Sequence, residues 1–198
     1  MSASRPIRIP PGNFQQRKLP VRRLRRTVFH RLHRLSTDPV LYGLSQNHRF
    51  SPANLPFQVL YAGKDFETCA MEVFGDTLID GNMDIALENW ATKQFSRLHI
   101  TAKVCDLTDR KTRMACGVDL PAIQHPDLSI PKHWATAIAS HPARFDGILY
   151  PSRFTGKTCI ALFSRGTSQG IQSTPAFPLS QETKEIAEFL NKYGIRLV

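Results

Sequence analysis

Short apolar segments bounded by Pro or Gly constrain the fold of this sequence more than any other feature. Residues 57–62, Phe-Gln-Val-Leu-Tyr-Ala, stand between Pro56 and Gly63, which is typical of a buried strand. Helical patterns fall between such segments without regular alternation, so the sequence predicts an α+β fold rather than a doubly wound sheet. Three further strands are predicted from alternation or from short apolar runs: 97–105, 148–150 and 158–163.

The clearest helix signal follows the first predicted strand. Asp65 is a suitable N-cap for a helix from Phe66 to Phe74, and Gly75 is predicted to end it. On that helix Val73 falls on the core face together with the aromatic residues, whereas Glu72 falls at the edge of this face. A carboxylate at such an edge fits the rim of a cleft, and it equally fits an ordinary boundary position.

Other segments carry weaker signals. Pro131 can open a helix over 132–140, and Ser180 can cap a final helix that Gly194 ends. Residues 106–130 are predicted to be irregular. Residues 165–178 are rich in Gly, Ser and Pro and are predicted to be mobile.

The net charge of +10 is concentrated at one end of the chain. Residues 1–34 contain ten Lys and Arg and no acidic residue, whereas the remainder has 16 basic and 16 acidic residues. Prolines interrupt any helix in this segment. We therefore expect residues 1–26 to form a disordered basic arm and residues 27–198 to form a single domain. Residues 21–35 fit either a basic helix or a strand.

Several classes of protein are disfavoured by the sequence. The four Cys residues are widely spaced with no C-x-x-C pair, which indicates buried reduced thiols. The His residues show no metal-ligand spacing, so no metal is predicted. No segment has the length of a signal-peptide core or of a membrane span, and the expected location is the cytoplasm.

Five polar residues stand inside otherwise apolar blocks and are the candidate site residues. A charge near a core edge is costly unless something pairs with it, so such positions indicate a site. Arginine can contact phosphate in bidentate fashion, and tyrosine can stack on a planar ring. Each residue alone has an ordinary alternative, such as a solvated charge, a packed ring or a turn. The five are Arg31, Arg49, Tyr61, Glu72 and Ser152.

Taken in order, these blocks resemble the RES-domain family, named for an Arg, a Glu and a Ser. The resemblance covers about residues 28–165. Two departures are His48, where the family commonly has Gly, and Phe50, where Trp is frequent. The matching blocks are Phe29-His30-Arg31-Leu32, His48-Arg49-Phe50-Ser51-Pro52, Leu60-Tyr61-Ala62, Ala70-Met71-Glu72-Val73 and Asp146 to Arg153, followed by Ala161-Leu162-Phe163.

The resemblance implies an ADP-ribosyltransferase-like fold, with small curved mixed sheets around an NAD cleft and flanking helices. It implies cleavage of the nicotinamide–ribose bond of NAD, by phosphorolysis with inorganic phosphate, by water, or by ADP-ribosyl transfer to a protein. It also implies a toxin that is neutralised by an Xre-type antitoxin and that forms either a homo-oligomer or a toxin–antitoxin hetero-oligomer. By the same resemblance Arg31, Glu72 and Ser152 are catalytic, and Arg31, Arg49, Tyr61 and Ser152 bind NAD.

A nucleic-acid-binding function is the alternative from a different class. It would depend on the basic arm, because the remainder of the chain is neutral. If nucleic-acid binding is the function, removal of residues 1–26 is expected to abolish it; if NAD cleavage is the function, the same removal is expected to leave NAD loss intact. A pocket that binds nucleotide without turnover is a further alternative. The basic residues concerned are Arg22, Arg23, Arg25, Arg26 and Arg34.

Overall fold

The computed structural model describes residues 7–43, 47–51, 57–164 and 170–198. Pro52 and Pro56 therefore lie outside the described residues. The strands are β1 Arg22–Arg34, β2 Val59–Gly63, β3 Asp84–Ile85, β4 Lys93–Asp106, β5 Gly147–Pro151, β6 Thr158–Phe163, β7 Gly170–Ser173, β8 Phe177–Pro178 and β9 Arg196–Leu197. The helices are α1 Phe66–Ile79, α2 Leu87–Ala91, α3 Arg110–Cys116, α4 Leu120–Ile123, α5 Ser129–Ala139 and α6 Lys184–Tyr193.

The main sheet has seven strands and closes on itself. Its order is β1-β2-β6-β5-β4, and β1 also pairs with β4, so these five strands form a barrel-like ring. Strands β7 and β8 pair with β4 along the edge that faces away from β1. Strands β3 and β9 form a separate two-stranded sheet. The mixed α+β class predicted from the sequence is confirmed. The resemblance had implied several small curved sheets, whereas most strands here belong to one.

Strand β1 resolves the ambiguity of residues 21–35 in favour of a strand. It pairs antiparallel with β4 from Arg22 opposite Val104 to Arg34 opposite Lys93. An irregularity between Leu24 and Thr27, with Arg26 at φ 48°, adds a residue to β1. A bulge of this kind shifts the alternation of side chains beyond it. Leu24 and Phe29 therefore both reach the barrel interior although their numbers differ in parity.

Apolar side chains fill the barrel and two outer layers. The interior is lined by residues such as Leu98, Ile100 and Leu162, all fully buried. One outer layer packs α5 and its Trp134 against β5 and β6. The other packs α1 and α6 against the end of the β1–β4 pair. Helix α1 follows β2 in the chain and packs beside it, and the space between the two elements forms a cleft.

Helix α1 begins as predicted but continues beyond Gly75. The Asp65 carboxylate accepts from the Thr68 backbone N–H at 2.9 Å, which confirms the N-cap. A Cβ on Gly75 would lie 2.7 Å from the Phe154 ring. The glycine therefore permits close packing in mid-helix, and the prediction that it ends the helix was wrong. Val73, predicted to be in the core, is instead 45% exposed.

Residues 7–26 are not a disordered arm, so that prediction was wrong for the described part of it. A short 3-10 helix at Phe14–Gln16 places Phe14 against Trp134, with ring centroids 5.6 Å apart. The Trp134 indole N–H donates to the Arg8 carbonyl at 2.9 Å. Leu19 is buried in the same core. This N-terminal segment is therefore part of the domain, and residues 1–6 lie outside the description.

Other boundaries also differ from the predictions. Residues 106–130 were predicted to be irregular, but they contain helices α3 and α4, which are capped by Asp109 and Asp119. The final helix is capped by Thr183 instead of Ser180, and Gly194 ends it in the left-handed conformation as predicted. Within 165–178, two short strands pair with β4, and residues 165–169 lie outside the described part. Among the described helices, none has the length and apolarity needed to cross a membrane.

Candidate active site

A cleft of about 280 Å³ lies between helix α1 and the strands β2, β5 and β6. Four of the five residues singled out from the sequence line it, although they come from distant parts of the chain. Its walls carry both polar and apolar groups, as is usual in small-molecule sites. The lining residues are Arg31, Leu32, His48, Arg49, Tyr61, Ala62, Gly63, Cys69, Glu72, Val73, Tyr150 and Cys159.

Arg31 projects from the end of β1, and backbone carbonyls hold it. Its Nη1 donates to the Pro39 carbonyl at 2.8 Å and to the Leu41 carbonyl at 2.7 Å. Burial lowers the pKa of its guanidinium, and the charge of Asp38 partly offsets this. An arginine nevertheless stays cationic at neutral pH. Among the described residues no partner is found for Nε or Nη2, so these donors are available to a ligand.

Arg49 also lines the cleft and is likewise held by backbone carbonyls. Its Nη1 donates to the Ile123 and His125 carbonyls, each at 3.1 Å. Burial lowers the pKa of its guanidinium as well. Neither Arg31 nor Arg49 forms a salt bridge with a carboxylate of the described residues. Two partly buried cations held only by carbonyls make the cleft suitable for an anion such as a phosphate or diphosphate.

Tyr61 provides an aromatic wall on β2. Its hydroxyl accepts from the Phe50 backbone N–H at 2.9 Å, which fixes the ring. Burial raises the pKa of Tyr61 to about 12, so the hydroxyl is protonated at neutral pH. The His48 ring lies with its centroid 5.5 Å from that of Tyr61, at a tilt of 57°. Tyr150, which is buried, adds a second tyrosine to the cleft. A planar ring can therefore be held against this wall.

Glu72 and Ser152 form a hydrogen-bonded pair at the α1 side of the cleft. The Ser152 hydroxyl donates to Glu72 Oε1 at 2.6 Å. The Ser152 oxygen in turn accepts from the backbone N–H groups of Phe154 and Thr155, at 3.2 and 3.3 Å. Ser152 is only 1% exposed and does not line the cleft. The Ser152 hydroxyl therefore contacts Glu72 and not the cleft, whereas the exposed Glu72 carboxylate lines the cleft directly.

Close packing between β2 and α1 sets the distance of Glu72 from the sheet. A Cβ on Gly63 would lie 2.9 Å from the Cys69 sulfur and 3.1 Å from Thr68 Cγ2. The Cys69 thiol donates to the His30 carbonyl at 3.1 Å. Burial raises the pKa of Cys69 to about 12 and also raises that of Cys159. Both thiols lining the cleft are therefore protonated and serve packing rather than nucleophilic chemistry.

Some cleft residues were not predicted from the sequence. Tyr150 lies on β5, two residues before Ser152. Because it stands in a short apolar strand, the sequence pattern indicated a core residue and not a cleft residue. His48 was noted only as a departure from a family pattern. Val73 was assigned to the core. Within the described ranges no group of three His, Cys, Asp or Glu side chains could hold a metal ion.

Comparison with known proteins places the chain in a family. The sequence model of the RES domain matches residues 23–181, which is most of the chain. The chain belongs to the RES-domain family. This confirms the resemblance found in the sequence, and the match begins inside β1, so residues 7–22 lie outside the matched range although they pack on this RES domain.

One solved structure extends the comparison to the fold. A chain in the crystal structure of the M. tuberculosis MbcT-MbcA toxin-antitoxin complex superposes with a TM-score of 0.63. The two sequences are 17% identical, and the superposition covers 93% of this chain and 98% of the other. A search among curated proteins gives no match. The RES domain described here therefore shares its overall fold with that chain.

Proposed function

We propose that this RES domain cleaves the nicotinamide–ribose bond of NAD, with inorganic phosphate as the attacking nucleophile. The observation that supports it most is the cleft lined by two carbonyl-held arginines, an aromatic wall and a carboxylate fixed by a buried serine. NAD carries the matching groups: a diphosphate, a planar nicotinamide ring and a ribose with two hydroxyls. The products are nicotinamide and ADP-ribose 1-phosphate, so atoms balance without a further reactant.

Each cleft residue has a part that follows from its chemistry. Arg31 and Arg49 neutralise the NAD diphosphate and the incoming phosphate, which are the two anions of the reaction. The presence of two separately held guanidinium groups favours phosphorolysis over attack by water, which needs no second anion site. Tyr61, extended by His48, stacks on the planar ring and holds it while the bond breaks.

Glu72 acts at the reacting ribose. As the bond to nicotinamide breaks, positive charge develops on the ribose ring and the nicotinamide departs as a neutral base. A carboxylate beside the ribose stabilises that charge more in the transition state than in the ground state, which is what accelerates a reaction. Glu72 Oε1 already accepts a hydrogen bond from Ser152, so Oε2 is the oxygen that accepts a hydrogen bond from a ribose hydroxyl. Ser152 is therefore a positioning residue that acts through Glu72.

The biological setting follows the same line. We propose an ADP-ribosyltransferase-like arrangement of the cleft, in a toxin that acts on NAD in the cytoplasm and is neutralised by an Xre-type antitoxin. The similar solved structure is a toxin–antitoxin complex, and a protein that destroys NAD would need such a partner. ADP-ribosyl transfer to a protein and attack by water use the same cleft and are the alternatives that the assay must separate.

The test is nicotinamide release from NAD by purified protein, with and without inorganic phosphate. Glu72→Gln keeps the size and the acceptor oxygen of the side chain but removes the charge, and Arg49→Lys keeps the charge but loses the planar fork. We expect phosphate-dependent release that both variants reduce by at least about tenfold, equal to about 1.4 kcal/mol of transition-state stabilisation.

Other results would redirect the proposal. Nicotinamide release that does not depend on phosphate and that yields free ADP-ribose would mean hydrolysis. A mass increase on proteins of an added lysate would mean ADP-ribosyl transfer. No release from folded, antitoxin-free protein in any of these conditions would refute the enzymatic proposal. Retained NAD binding without turnover would mean a pocket that only binds nucleotide.

A further inference from the structure

The positive charge near the N-terminus forms a fixed patch on the outer surface of the sheet. We define the basic face as Arg23, Arg25, Arg26, His99 and Lys103, on β1 and β4. The three arginines are exposed, and His99 and Lys103 are partly exposed. Inward-pointing neighbours such as Leu24 and Ala102 are buried in the barrel. Because the alternation is anchored by that core, the charges are held on a rigid surface rather than on a flexible tail.

The register of β1 and β4 sets like charges against each other. Arg23 lies directly opposite Lys103 in the antiparallel pair. Like charges at opposed positions destabilise a sheet. The adjacent bulge adds Arg25 and Arg26 to the same area, and the next strand, β7, contributes Gly170 to Ser173, which carry no charge. Stability of the sheet alone gives no reason for this arrangement, whereas a bound anion would.

The cations of the basic face are not paired with acidic side chains in the described part of the chain, although the buried Asp146 carboxylate accepts from the backbone N–H of Lys103 at 2.7 Å. Among the described residues, no carboxylate forms a salt bridge with Arg23, Arg25, Arg26 or Lys103. Exposed cations elsewhere include unpaired ones, such as Lys18, Arg34 and Arg144, so the basic face is distinguished by the grouping of its four cations, and several other exposed cations are paired. Those pairs are Arg22 with Asp106, Arg153 with Asp76, Lys157 with Asp65 and Glu67, Lys184 with Glu188, Lys192 with Glu67, and Arg196 with Asp84.

We propose that the basic face binds the phosphate backbone of duplex nucleic acid. An acidic protein surface fits less well, because protein interfaces have an apolar centre and aromatic residues, and the basic face has neither. The face is curved into the barrel and does not project as a ribbon, so it contacts phosphates rather than base edges and is indifferent to sequence.

This function is separate from NAD cleavage, because the basic face and the cleft share no residue. Removal of residues 1–26, the test suggested by the sequence, is unsuitable since it would remove part of β1 and buried core residues as well. Substitutions of surface charges on the whole chain are the appropriate perturbation.

The experiment measures binding of a fluorescent 20-base-pair DNA of arbitrary sequence over a range of salt concentrations. The test variant is Arg23→Gln/Arg25→Gln/Lys103→Gln. The control is Lys184→Gln/Lys192→Gln/Arg196→Gln, which removes the same charge from cations that are already paired. We expect the wild type to bind with a Kd on the order of 10 μM, as is usual for non-specific binding. The test variant should bind at least about tenfold more weakly and lose about 3 from the slope of log K against log salt, while the control keeps the wild-type slope.

Three results would overturn the proposal. One is no binding by the wild type at about 50 mM salt, where phosphate contacts are strongest. A second is an equal loss in both triple variants, which would mean that net charge alone matters. The third is binding of polyglutamate as tight as that of DNA, with the same dependence on the test variant, which would indicate an acidic protein partner. Thermal unfolding of each variant checks the fold, and the test variant should be no less stable because opposed like charges are removed.

Discussion

The serine behind Glu72 offers the sharpest test of how the cleft works. In Ser152→Ala, Glu72 loses the 2.6 Å hydrogen bond that fixes Oε1. A freed Glu side chain regains about 1.5–2 kcal/mol of rotamer entropy, so its productive orientation becomes correspondingly rare. At about 1.36 kcal/mol for each factor of ten, kcat for nicotinamide release should fall by about 10- to 30-fold. KM for NAD should stay within about twofold, because Ser152 does not line the cleft.

Stability changes must be separated from this effect. The backbone N–H groups of Phe154 and Thr155 lose their acceptor in Ser152→Ala, which should cost about 1–3 kcal/mol of unfolding free energy. Thr155→Val is the matched control, since it alters the same loop and its contact with Thr68 but leaves Glu72 untouched. Kinetics are therefore measured well below the unfolding temperature of each variant.

A double-mutant cycle decides whether Ser152 acts through Glu72. Ser152→Ala introduced into Glu72→Gln should cause no further loss of kcat, because the charge that the serine positions is already gone. Additive losses, or a KM that rises while kcat holds, would show that Ser152 contacts the ligand itself and would refute the positioning role.

Three further outcomes follow from the fold. Gly75→Ala should lower the unfolding free energy by about 1–3 kcal/mol in denaturant titration, because the new Cβ meets the Phe154 ring at 2.7 Å; unchanged stability would mean that the ring moves freely. Ion pairs with lysines and a hydrogen bond from Tyr193 lower the pKa of Glu67 to about 2, so its stabilising effect is complete above the unfolded value near 4.5 and is lost as the pH falls towards 2. Glu67→Gln should therefore cost about 1 kcal/mol at pH 7, after allowance for solvent screening, and almost nothing at pH 2, as measured by unfolding at both pH values. Deletion of residues 1–26 should leave the chain without cooperative unfolding in circular dichroism, whereas a folded truncated protein would contradict the packing described. The buried side chains lost in that deletion are Phe14, Leu19 and Leu24.

Local patterns predicted the elements of the fold better than their pairing. The strand at residues 158–163, the N-cap at Asp65 and the end of the last helix at Gly194 all depend on nearby residues, and the structure agrees with each. Residues 21–35 stayed ambiguous because their apolar spacing fits two periods. Only the partner strand, some 70 positions later in the chain, decides between them.

The order of the blocks predicted which residues lie together, but it did not predict how they are arranged. Arg31, Arg49, Tyr61 and Glu72 do line one cleft. The burial of Ser152 behind Glu72 depends on how the β5–β6 loop folds, which no spacing encodes. The N-terminal prediction failed for a related reason, since prolines and charge favour disorder locally while Phe14 and Leu19 gain their stability from a distant helix.

The docking of the N-terminal segment has a consequence for the newly made chain. Phe14 packs on Trp134, the Arg17 carbonyl accepts a hydrogen bond from the His141 ring, and β1 pairs with β4. During synthesis these segments therefore wait for partners made roughly a hundred positions later in the chain. The cleft likewise combines Arg31 with Tyr150, and the carboxylate of Glu72 in the cleft is held by Ser152, so its lining is complete only after more than a hundred further residues have been made. Such long-range topology folds slowly and late. Under the proposed function, NAD cleavage would therefore begin only after most of the domain has been made, and a neutralising partner made at the same time would have that interval in which to bind.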